Sequence, residues 1–172
     1  MSVADVFFIT LMASTNNTAE TLIRISGLSR DEFVARMNEK VAFWGANETR
    51  FIEPTGLSPQ NVSSVLDYAI ITAHAFANPK LLEATTRREY VMETRRDSIK
   101  KTIRNTNDLL YSDFYVTGGK TGYLDEAGYC LMTKIKTDDG RELVGVLFGA
   151  DTREQSFAEL SDLLKYVMRK KL

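Results

Sequence analysis

The chain has 172 residues, of which 44% are hydrophobic and 26% charged, the length and composition of a single soluble globular domain. Its 22 basic and 23 acidic residues give a formal net charge of −1 at pH 7, so it lacks the cationic face that nucleic acid requires, and we expect no nucleic-acid partner. Cys130 is the only cysteine and His74 the only histidine, which excludes an intramolecular disulfide and Cys-rich or His-rich metal sites. His74 lies in an apolar helical stretch, and we expect it to be structural rather than catalytic.

The first half of the chain is predicted to be helical. Residues 6–13 form an apolar run that is too short to span a bilayer, and residues 1–5 carry no Lys or Arg. This pattern predicts a buried helix rather than a signal peptide. A second helix is expected over residues 18–25, after a break at the polar segment 14–17.

Two further helices follow. Ser29 and Glu32 have the spacing of a capping box, which opens a third helix that Gly45 ends as a left-handed cap. A fourth helix is predicted from about residue 63 to residue 77, ending before Asn78-Pro79. The apolar spacing of the third helix predicts that it buries Phe33, Met37, Val41 and Trp44.

The second half changes to short segments rich in β-branched and aromatic residues. Residues 89–94 and 99–104 are predicted to pair as a hairpin, with Arg95, Arg96 and Asp97 at its turn. Alternating segments 127–137 and 141–150 predict a second hairpin, joined by a turn with Asp-Gly.

The alternation of the second hairpin also predicts its faces. On its first strand, one face holds Tyr129, Leu131, Thr133 and Ile135, and the other holds Cys130, Met132, Lys134 and Lys136. A last helix over residues 152–168 is expected to cover the sheet with Phe157, Leu160, Leu163, Leu164 and Val167. The fold class is therefore α+β, with helices packed on a small antiparallel sheet.

Two short motifs carry chemical information. Lys120-Thr121-Gly122 lies just before the second hairpin, where a strand is expected, and about 0.02 chance copies of such a triplet are expected in a chain of this length. Ser14-Thr15-Asn16 is a Ser-x-Asn pattern, for which about 0.4 chance copies are expected. Taken alone, Ser14 and Asn16 would serve equally well as a helix-capping pair.

Together the two motifs match two of the three active-site signatures of penicillin-binding proteins and class A β-lactamases. Over nearly its full length the chain resembles the penicillin-binding serine D-alanyl-D-alanine carboxypeptidases, peptidase family S11. This resemblance implies one β-lactamase/transpeptidase-like domain, present in part over residues 1–172. It is carried, in the family's order, by residues 11–17, 33–38, 54–57, 105–110 and 119–129.

The resemblance implies a role for each motif residue. Ser14 would relay a proton to the leaving amine, Lys120 would lower the pKa of Ser14, and the Asn16 amide would hold the substrate's peptide group. Thr121, with Lys120 beside it, would receive the substrate carboxylate. The residues implied in substrate binding are Thr121, Gly122, which leaves room for an extended peptide, and Tyr123, whose backbone N–H is a candidate oxyanion-hole donor.

The sequence departs from the family pattern at the nucleophile. The family places a Ser-x-x-Lys on a helix well upstream of the Ser-x-Asn, because that spacing sets the lysine amine beside the serine hydroxyl. The one Ser-x-x-Lys in this sequence, Ser98 to Lys101, follows Ser14 in a basic, strand-like segment and is not expected to be the nucleophile. We therefore expect the N-terminal strands and the nucleophile helix to be missing, the strand at 141–150 to have an unpaired edge, and the chain alone to be nearly inert.

The leading interpretation is a serine-type D-alanyl-D-alanine carboxypeptidase that removes the terminal D-Ala of peptidoglycan stem peptides through an acyl-enzyme. The implied partners are the D-Ala-D-Ala terminus, β-lactams and an N-terminal segment of the same domain, and no metal or organic cofactor is implied. The family implies a location outside the cytoplasmic membrane, although the chain shows no signal peptide. The alternatives are a D,D-endopeptidase, a β-lactamase, or a non-catalytic module that binds peptidoglycan peptides or β-lactams.

Overall fold

The computed structural model describes residues 1–94 and 98–170, and within these ranges helices pack against two antiparallel sheets. The helices are α1 Val3–Ala13, α2 Asn16–Ile25, α3 Arg30–Phe43, α4 Val65–Ala75, α5 Pro79–Thr86 and α6 Arg153–Arg169, with a short 3-10 helix at Asp108–Tyr111. The strands are β1 Glu89–Glu93, β2 Lys100–Arg104, β3 Tyr115–Leu124, β4 Gly128–Lys136 and β5 Glu142–Ala150. The predicted α+β class is confirmed.

The strands form a two-stranded and a three-stranded sheet. β1 pairs with β2, which confirms the first predicted hairpin, and the predicted turn at Arg95, Arg96 and Asp97 lies outside the described residues. The larger sheet has the order β3-β4-β5. Among the described residues β5 pairs with β4 alone, as expected of a strand with one free edge.

The main core lies between the three-stranded sheet and α6. Alternate residues of β4 point into it, which confirms the predicted faces of that strand, and their register against β3 pairs Leu131 with Thr121. Burial of this many apolar side chains is the main force that holds α6 on the sheet. The buried residues of this core are Leu109, Leu110, Val116, Leu131, Ile135, Phe157, Leu160 and Leu164.

The last helix confirms most of its predicted stripe but not all of it. Phe157, Leu160 and Leu164 are buried, whereas Leu163 is 50% exposed. The prediction for Leu163 was wrong because successive helical residues differ by about 100° around the axis, so Leu163 lies outside the stripe that contains Leu164.

The third helix has the predicted caps but buries less than expected. Ser29 and Glu32 form the capping box, and Gly45 has φ +87. Only Val41 of the four predicted core residues is buried, and the other three are half-buried. Trp44 instead stacks flat on the exposed ring of His74 with 5.0 Å between centroids, so His74 has a packing role, as expected.

Helix α5 was not predicted. Pro79 was interpreted as a turn marker, but it occupies the first position of α5, where its missing N–H costs no hydrogen bond. The side chain of Asn78 caps this helix by accepting from the Lys80 N–H. No helix within the described ranges is both long and apolar enough to cross a membrane.

Candidate active site

Ser14 and Lys120 meet in space although they lie 106 residues apart in the chain. Lys120 Nζ donates a hydrogen bond to Ser14 Oγ and another, of 2.6 Å, to the Thr121 carbonyl oxygen. Ser14 Oγ lies 3.4 Å from the same carbonyl oxygen. The fold therefore brings the Ser-x-Asn and Lys-Thr-Gly motifs into direct contact.

The end of α1 places the Ser14 hydroxyl. Met12 is fully buried and anchors the last turn of α1, and Ser14 then adopts the left-handed conformation, with φ 55. Ser14 Oγ contacts β3, and the N-cap residue of α2 is Thr15, which makes no side-chain cap hydrogen bond. The alternative interpretation of Ser14 as a helix-capping side chain is therefore wrong.

Asn16 is the first residue of α2 and is exposed. Within the described part of the chain its amide makes no hydrogen bond, and in particular none to Ser14 or Lys120. Asn16 is therefore close to Ser14 and Lys120 only because it follows Ser14 by two residues, and not through a contact of its side chain.

Burial lowers the pKa of the Lys120 ammonium from 10.5 to about 8. The physical cause is loss of hydration, which disfavours the charged form. Its two hydrogen-bond acceptors, a hydroxyl and a carbonyl oxygen, are both neutral. An amine with this pKa exchanges a proton readily near neutral pH, which suits it to general acid or base chemistry.

The Thr121 hydroxyl lies in a network that sequence analysis missed. Thr121 Oγ1 is 2.6 Å from Thr106 Oγ1. The N–H and the hydroxyl of Thr106 both donate to the carbonyl oxygen of Met12, at 2.9 Å and 3.2 Å. Arg153 donates to the Thr106 carbonyl oxygen at 2.9 Å and forms a 2.6 Å ion pair with Asp108.

Thr106 belongs to a segment that carried the family resemblance, so its position could have drawn attention to it, whereas no pattern singled out Arg153. The neighbouring amide of Asn105 fixes this segment by donating to the carbonyl oxygens of Thr85 and Arg87, both at 3.0 Å. The segment at residues 105–108 therefore connects α5, α1, β3 and α6.

The two glycines just before Lys120 are required by close packing inside β3. A Cβ on Gly118 would lie 2.2 Å from the ring of Phe76, and one on Gly119 would lie 2.2 Å from Asn107 Nδ2. Gly122 differs, because its Cβ would meet only the Cβ of Cys130, at 3.9 Å. Packing within the described chain thus explains Gly118 and Gly119 but does not require a glycine at position 122.

Tyr123 lies at the exposed end of β3. Its hydroxyl donates to Asp125 Oδ1 at 2.7 Å, and its ring lies 4.4 Å from that of Tyr129 between centroids. The Thr121 carbonyl faces α1, and backbone groups on a strand alternate in direction. The backbone N–H of Tyr123, two residues later, therefore points to the same side.

The literal Ser-x-x-Lys lies on the small hairpin and not on a helix. The Ser98 N–H donates to the Thr94 carbonyl oxygen, and Lys101 pairs with Met92 in the β1–β2 ladder. The i to i+3 spacing aligns two side chains only on a helix, so this geometry does not support a Ser98–Lys101 pair. Within residues 1–94 and 98–170 no group of three His, Cys, Asp or Glu side chains is placed to hold a metal ion.

The family model for D-alanyl-D-alanine carboxypeptidases, peptidase S11, matches residues 1–152. The chain is 30% identical over 164 residues to the D-alanyl-D-alanine endopeptidase of Escherichia coli strain K12, which covers 95% of this chain and 53% of that protein. It is 33% identical over 158 residues to the D-alanyl-D-alanine carboxypeptidase DacF of Bacillus subtilis strain 168, covering 90% of this chain and 40% of that protein. The chain thus spans about half the length of the curated relatives it matches.

Solved structures agree with this likeness. A D-alanyl-D-alanine carboxypeptidase from Mycobacterium tuberculosis H37Rv superposes with a TM-score of 0.83 at 26% identity, covering 99% of this chain and 66% of that one. Penicillin-binding protein D2 from Listeria monocytogenes, in a cefotaxime-bound form, gives a TM-score of 0.82 at 29% identity, covering 96% of this chain and 66% of that one. The predicted β-lactamase/transpeptidase-like fold is confirmed, and the chain belongs to the peptidase S11 family of D-alanyl-D-alanine carboxypeptidases.

Proposed function

We propose that residues 1–172 form the proton-transfer and substrate-binding part of a serine D-alanyl-D-alanine carboxypeptidase domain, which removes the terminal D-Ala of peptidoglycan stem peptides. The observation that carries this proposal is the hydrogen bond from Lys120 Nζ to Ser14 Oγ, with the lysine pKa near 8. Such a substrate locates the reaction outside the cytoplasmic membrane. The relatives include endopeptidases as well as carboxypeptidases, and our choice of carboxypeptidase rests on the resemblance of residues 105–110 and 119–129.

Ser14 and Lys120 act as a proton relay in this proposal. When the bond between the acyl carbon and the leaving nitrogen breaks, the leaving amine needs a proton. The Ser14 hydroxyl gives its proton to that nitrogen and takes one from Lys120 Nζ through their hydrogen bond. Asn16 extends from the start of α2 beside this relay and holds the peptide group of the substrate.

The free side of β3 binds the substrate. An extended peptide adds to this strand, and Gly122 leaves room for it because its missing Cβ is not explained by packing within the protein. Thr121 and Lys120 provide a hydroxyl and a positive charge for the carboxylate, and the Tyr123 N–H is an oxyanion-hole donor. β-Lactams bind in the same place as acylating analogues of the substrate.

The acyl-enzyme also requires a nucleophilic serine. We propose that an upstream Ser-x-x-Lys segment of the same domain provides it, and that residues 1–172 alone are nearly inert. Loss of the nucleophile costs about 10⁶ in kcat where it has been measured in another serine hydrolase.

Intact-mass analysis after incubation with benzylpenicillin tests this proposal. We expect no adduct on residues 1–172, checked as folded by circular dichroism, and an adduct once an upstream Ser-x-x-Lys segment from a family member is fused to the chain. In that fusion Lys120→Met should abolish acylation, whereas the matched control Ser98→Ala should leave it unchanged. An adduct on residues 1–172 alone, or full acylation of the Lys120→Met fusion, would refute the assignment.

A second candidate is a module that binds peptidoglycan peptides or β-lactams without cleaving them. It is favoured by the position of the one Ser-x-x-Lys in the sequence on a hairpin, separate from Lys120. Reversible benzylpenicillin binding, with no adduct even in the fusion, would identify this function. A β-lactamase would instead release its penicilloyl adduct quickly, so an adduct that lasts for many minutes favours the carboxypeptidase.

A further inference from the structure

We propose that Thr106 is a positioning residue that makes the Thr121 hydroxyl a hydrogen-bond donor to a ligand carboxylate. This inference rests on the proposed function, since it concerns how the same site distinguishes a free carboxylate from an uncharged C-terminus. It is carried by the 2.6 Å contact between Thr106 Oγ1 and Thr121 Oγ1 and by the second acceptor available to Thr106.

The two hydroxyls have two arrangements of their protons. In the first, Thr106 donates to the Met12 carbonyl oxygen at 3.2 Å, and Thr121 donates to Thr106. Thr121 then offers only lone pairs to a ligand, and these repel a carboxylate. In the second arrangement Thr106 donates to Thr121, whose own proton is free for the carboxylate.

The second arrangement leaves no buried acceptor unpaired. When the Thr106 hydroxyl turns away from the Met12 carbonyl oxygen, that oxygen still accepts the Thr106 N–H at 2.9 Å. A carboxylate at Thr121 thus favours a chain in which Thr106 donates to Thr121 and Thr121 donates to the ligand. Successive hydrogen bonds of this kind strengthen one another, and the bond to a charged acceptor is the strong one.

Thr106 itself is held firmly in place. Arg153 donates to its carbonyl oxygen, and the flanking Asn105 and Asn107 are buried. Because the backbone is fixed from both sides, replacing only the hydroxyl should leave the surrounding structure intact. The natural test is therefore Thr106→Val, which removes the hydroxyl at nearly constant shape and keeps the N–H to Met12.

The Thr117 side chain provides a matched control on β3, the strand that carries Thr121. Its Oγ1 is buried and has no hydrogen-bond partner among the described residues. Thr117→Val is therefore the same chemical change on β3 without a hydroxyl chain to break. Thr106→Ser keeps the hydroxyl and should behave as the parent protein.

The experiment is an NMR titration of residues 1–172 with diacetyl-L-Lys-D-Ala-D-Ala and, separately, with its C-terminal amide. We expect the parent chain, Thr106→Ser and Thr117→Val to bind the acid about tenfold more tightly than the amide, the scale of one hydrogen bond to a charged group. We expect Thr106→Val to bind the acid about two- to threefold less tightly relative to the amide than the parent does, because the Thr121 hydroxyl is no longer oriented and polarised by Thr106. The pKa of Lys120 should stay near 8 in Thr106→Val, which would show that the motifs are still in place.

The outcomes separate the two proposals. Equal binding of acid and amide by the parent chain would overturn both the proposed binding site and the role of Thr106. A preference for the acid in Thr106→Val that equals the parent's, or that is larger because Thr121 is released from Thr106, would overturn the role of Thr106 alone. A loss of preference in Thr117→Val as well would show a general effect of altering β3 and would also overturn it.

Discussion

The ammonium of Lys120 donates to the hydroxyl of Ser14, and this hydrogen bond joins the end of α1 to strand β3. Both side chains are held by backbone that is itself fixed. Ser14 follows the buried last turn of α1, and Lys120 follows two glycines that pack closely against Phe76 and Asn107. The lowered pKa of Lys120 is a consequence of this fixed, partly dehydrated position.

The pH dependence of stability should reveal that lowered pKa. Lys120 has a pKa of about 8 in the folded protein, against 10.5 for the free group, so between these values the unfolded chain binds more protons than the folded one. The free energy of unfolding should therefore rise with pH across this window because of Lys120. Below pH 8 both states are protonated and this slope disappears.

Lys120→Met isolates the effect, since every other titrating group is present in both proteins. We expect the variant to be the more stable protein at pH 7, because it no longer buries an ammonium. The difference in the free energy of unfolding between variant and parent should shrink by up to about 3 kcal/mol by pH 10, because a change of one in pKa corresponds to about 1.4 kcal/mol. Urea unfolding of both proteins at intervals between these pH values measures it, and parallel curves would contradict a lowered pKa.

Gly119 and Gly122 should respond differently to the same substitution. A Cβ on Gly119 would lie 2.2 Å from Asn107 Nδ2, so Gly119→Ala forces the Asn107 amide or β3 to move. Overpacking of this kind costs about 1–3 kcal/mol. Gly122→Ala meets only the Cβ of Cys130, at 3.9 Å, and should leave the free energy of unfolding nearly unchanged.

Gly122→Ala, which should hardly change stability, should nevertheless weaken ligand binding. An added methyl group there would lie where the proposed peptide adds to β3, so Gly122→Ala should weaken binding of the stem-peptide analogue while the protein stays folded. Denaturant unfolding and an NMR titration on the same samples measure the two effects. If Gly122→Ala is strongly destabilised, the space at this position is needed by the protein itself and not by a ligand.

Much of this fold could be predicted from local patterns. The capping box at Ser29, the alternation along β4 and the stripe of α6 each depend on neighbouring residues, and the structure has all three. Local patterns failed where the outcome depended on distant packing. Phe33, Met37 and Trp44 have the spacing of a buried stripe but are only half-buried, because spacing does not show how much of a helix face other elements cover.

The residues of the candidate site divide in the same way, into those that local motifs indicate and those that only distant contacts bring into the site. Lys120 and Ser14 belong to motifs with recognisable spacing, so the sequence could indicate them. Thr106 matters through its contacts with Met12, Thr121 and Arg153, which lie 94, 15 and 47 residues away in the chain. Such contacts depend on how α1, β3 and α6 pack, and no local pattern in a single sequence encodes that.

Asn105 should be among the side chains that hold this arrangement together. Its amide is buried and donates to the carbonyl oxygens of Thr85 and Arg87. Asn105→Ala leaves these acceptors unpaired and also removes the oxygen that receives the Asn107 N–H at 2.9 Å. We expect a loss of about 1–3 kcal/mol in the free energy of unfolding, the range for buried polar groups left unsatisfied.

Asn47, exposed in a turn, provides the matched control. Asn47→Ala should change the free energy of unfolding by less than about 0.5 kcal/mol, as surface substitutions usually do. Urea unfolding of both variants measures the difference, and equal stabilities would mean that the Asn105 amide does not hold residues 105–108.

Thr117→Val, in contrast to Asn105→Ala, should make the folded protein more stable. The Thr117 hydroxyl is buried without a partner among the described residues, so the folded protein bears the cost of removing it from water and gains no hydrogen bond in return. Valine has nearly the same shape and favours a strand as strongly, so the substitution removes that cost without opening a cavity. We expect the free energy of unfolding to rise by about 1 kcal/mol, measured by urea unfolding beside Thr106→Val, which breaks a hydroxyl contact and should be destabilised. A Thr117→Val protein that is clearly less stable than the parent would mean that this hydroxyl has a hydrogen-bond partner in solution.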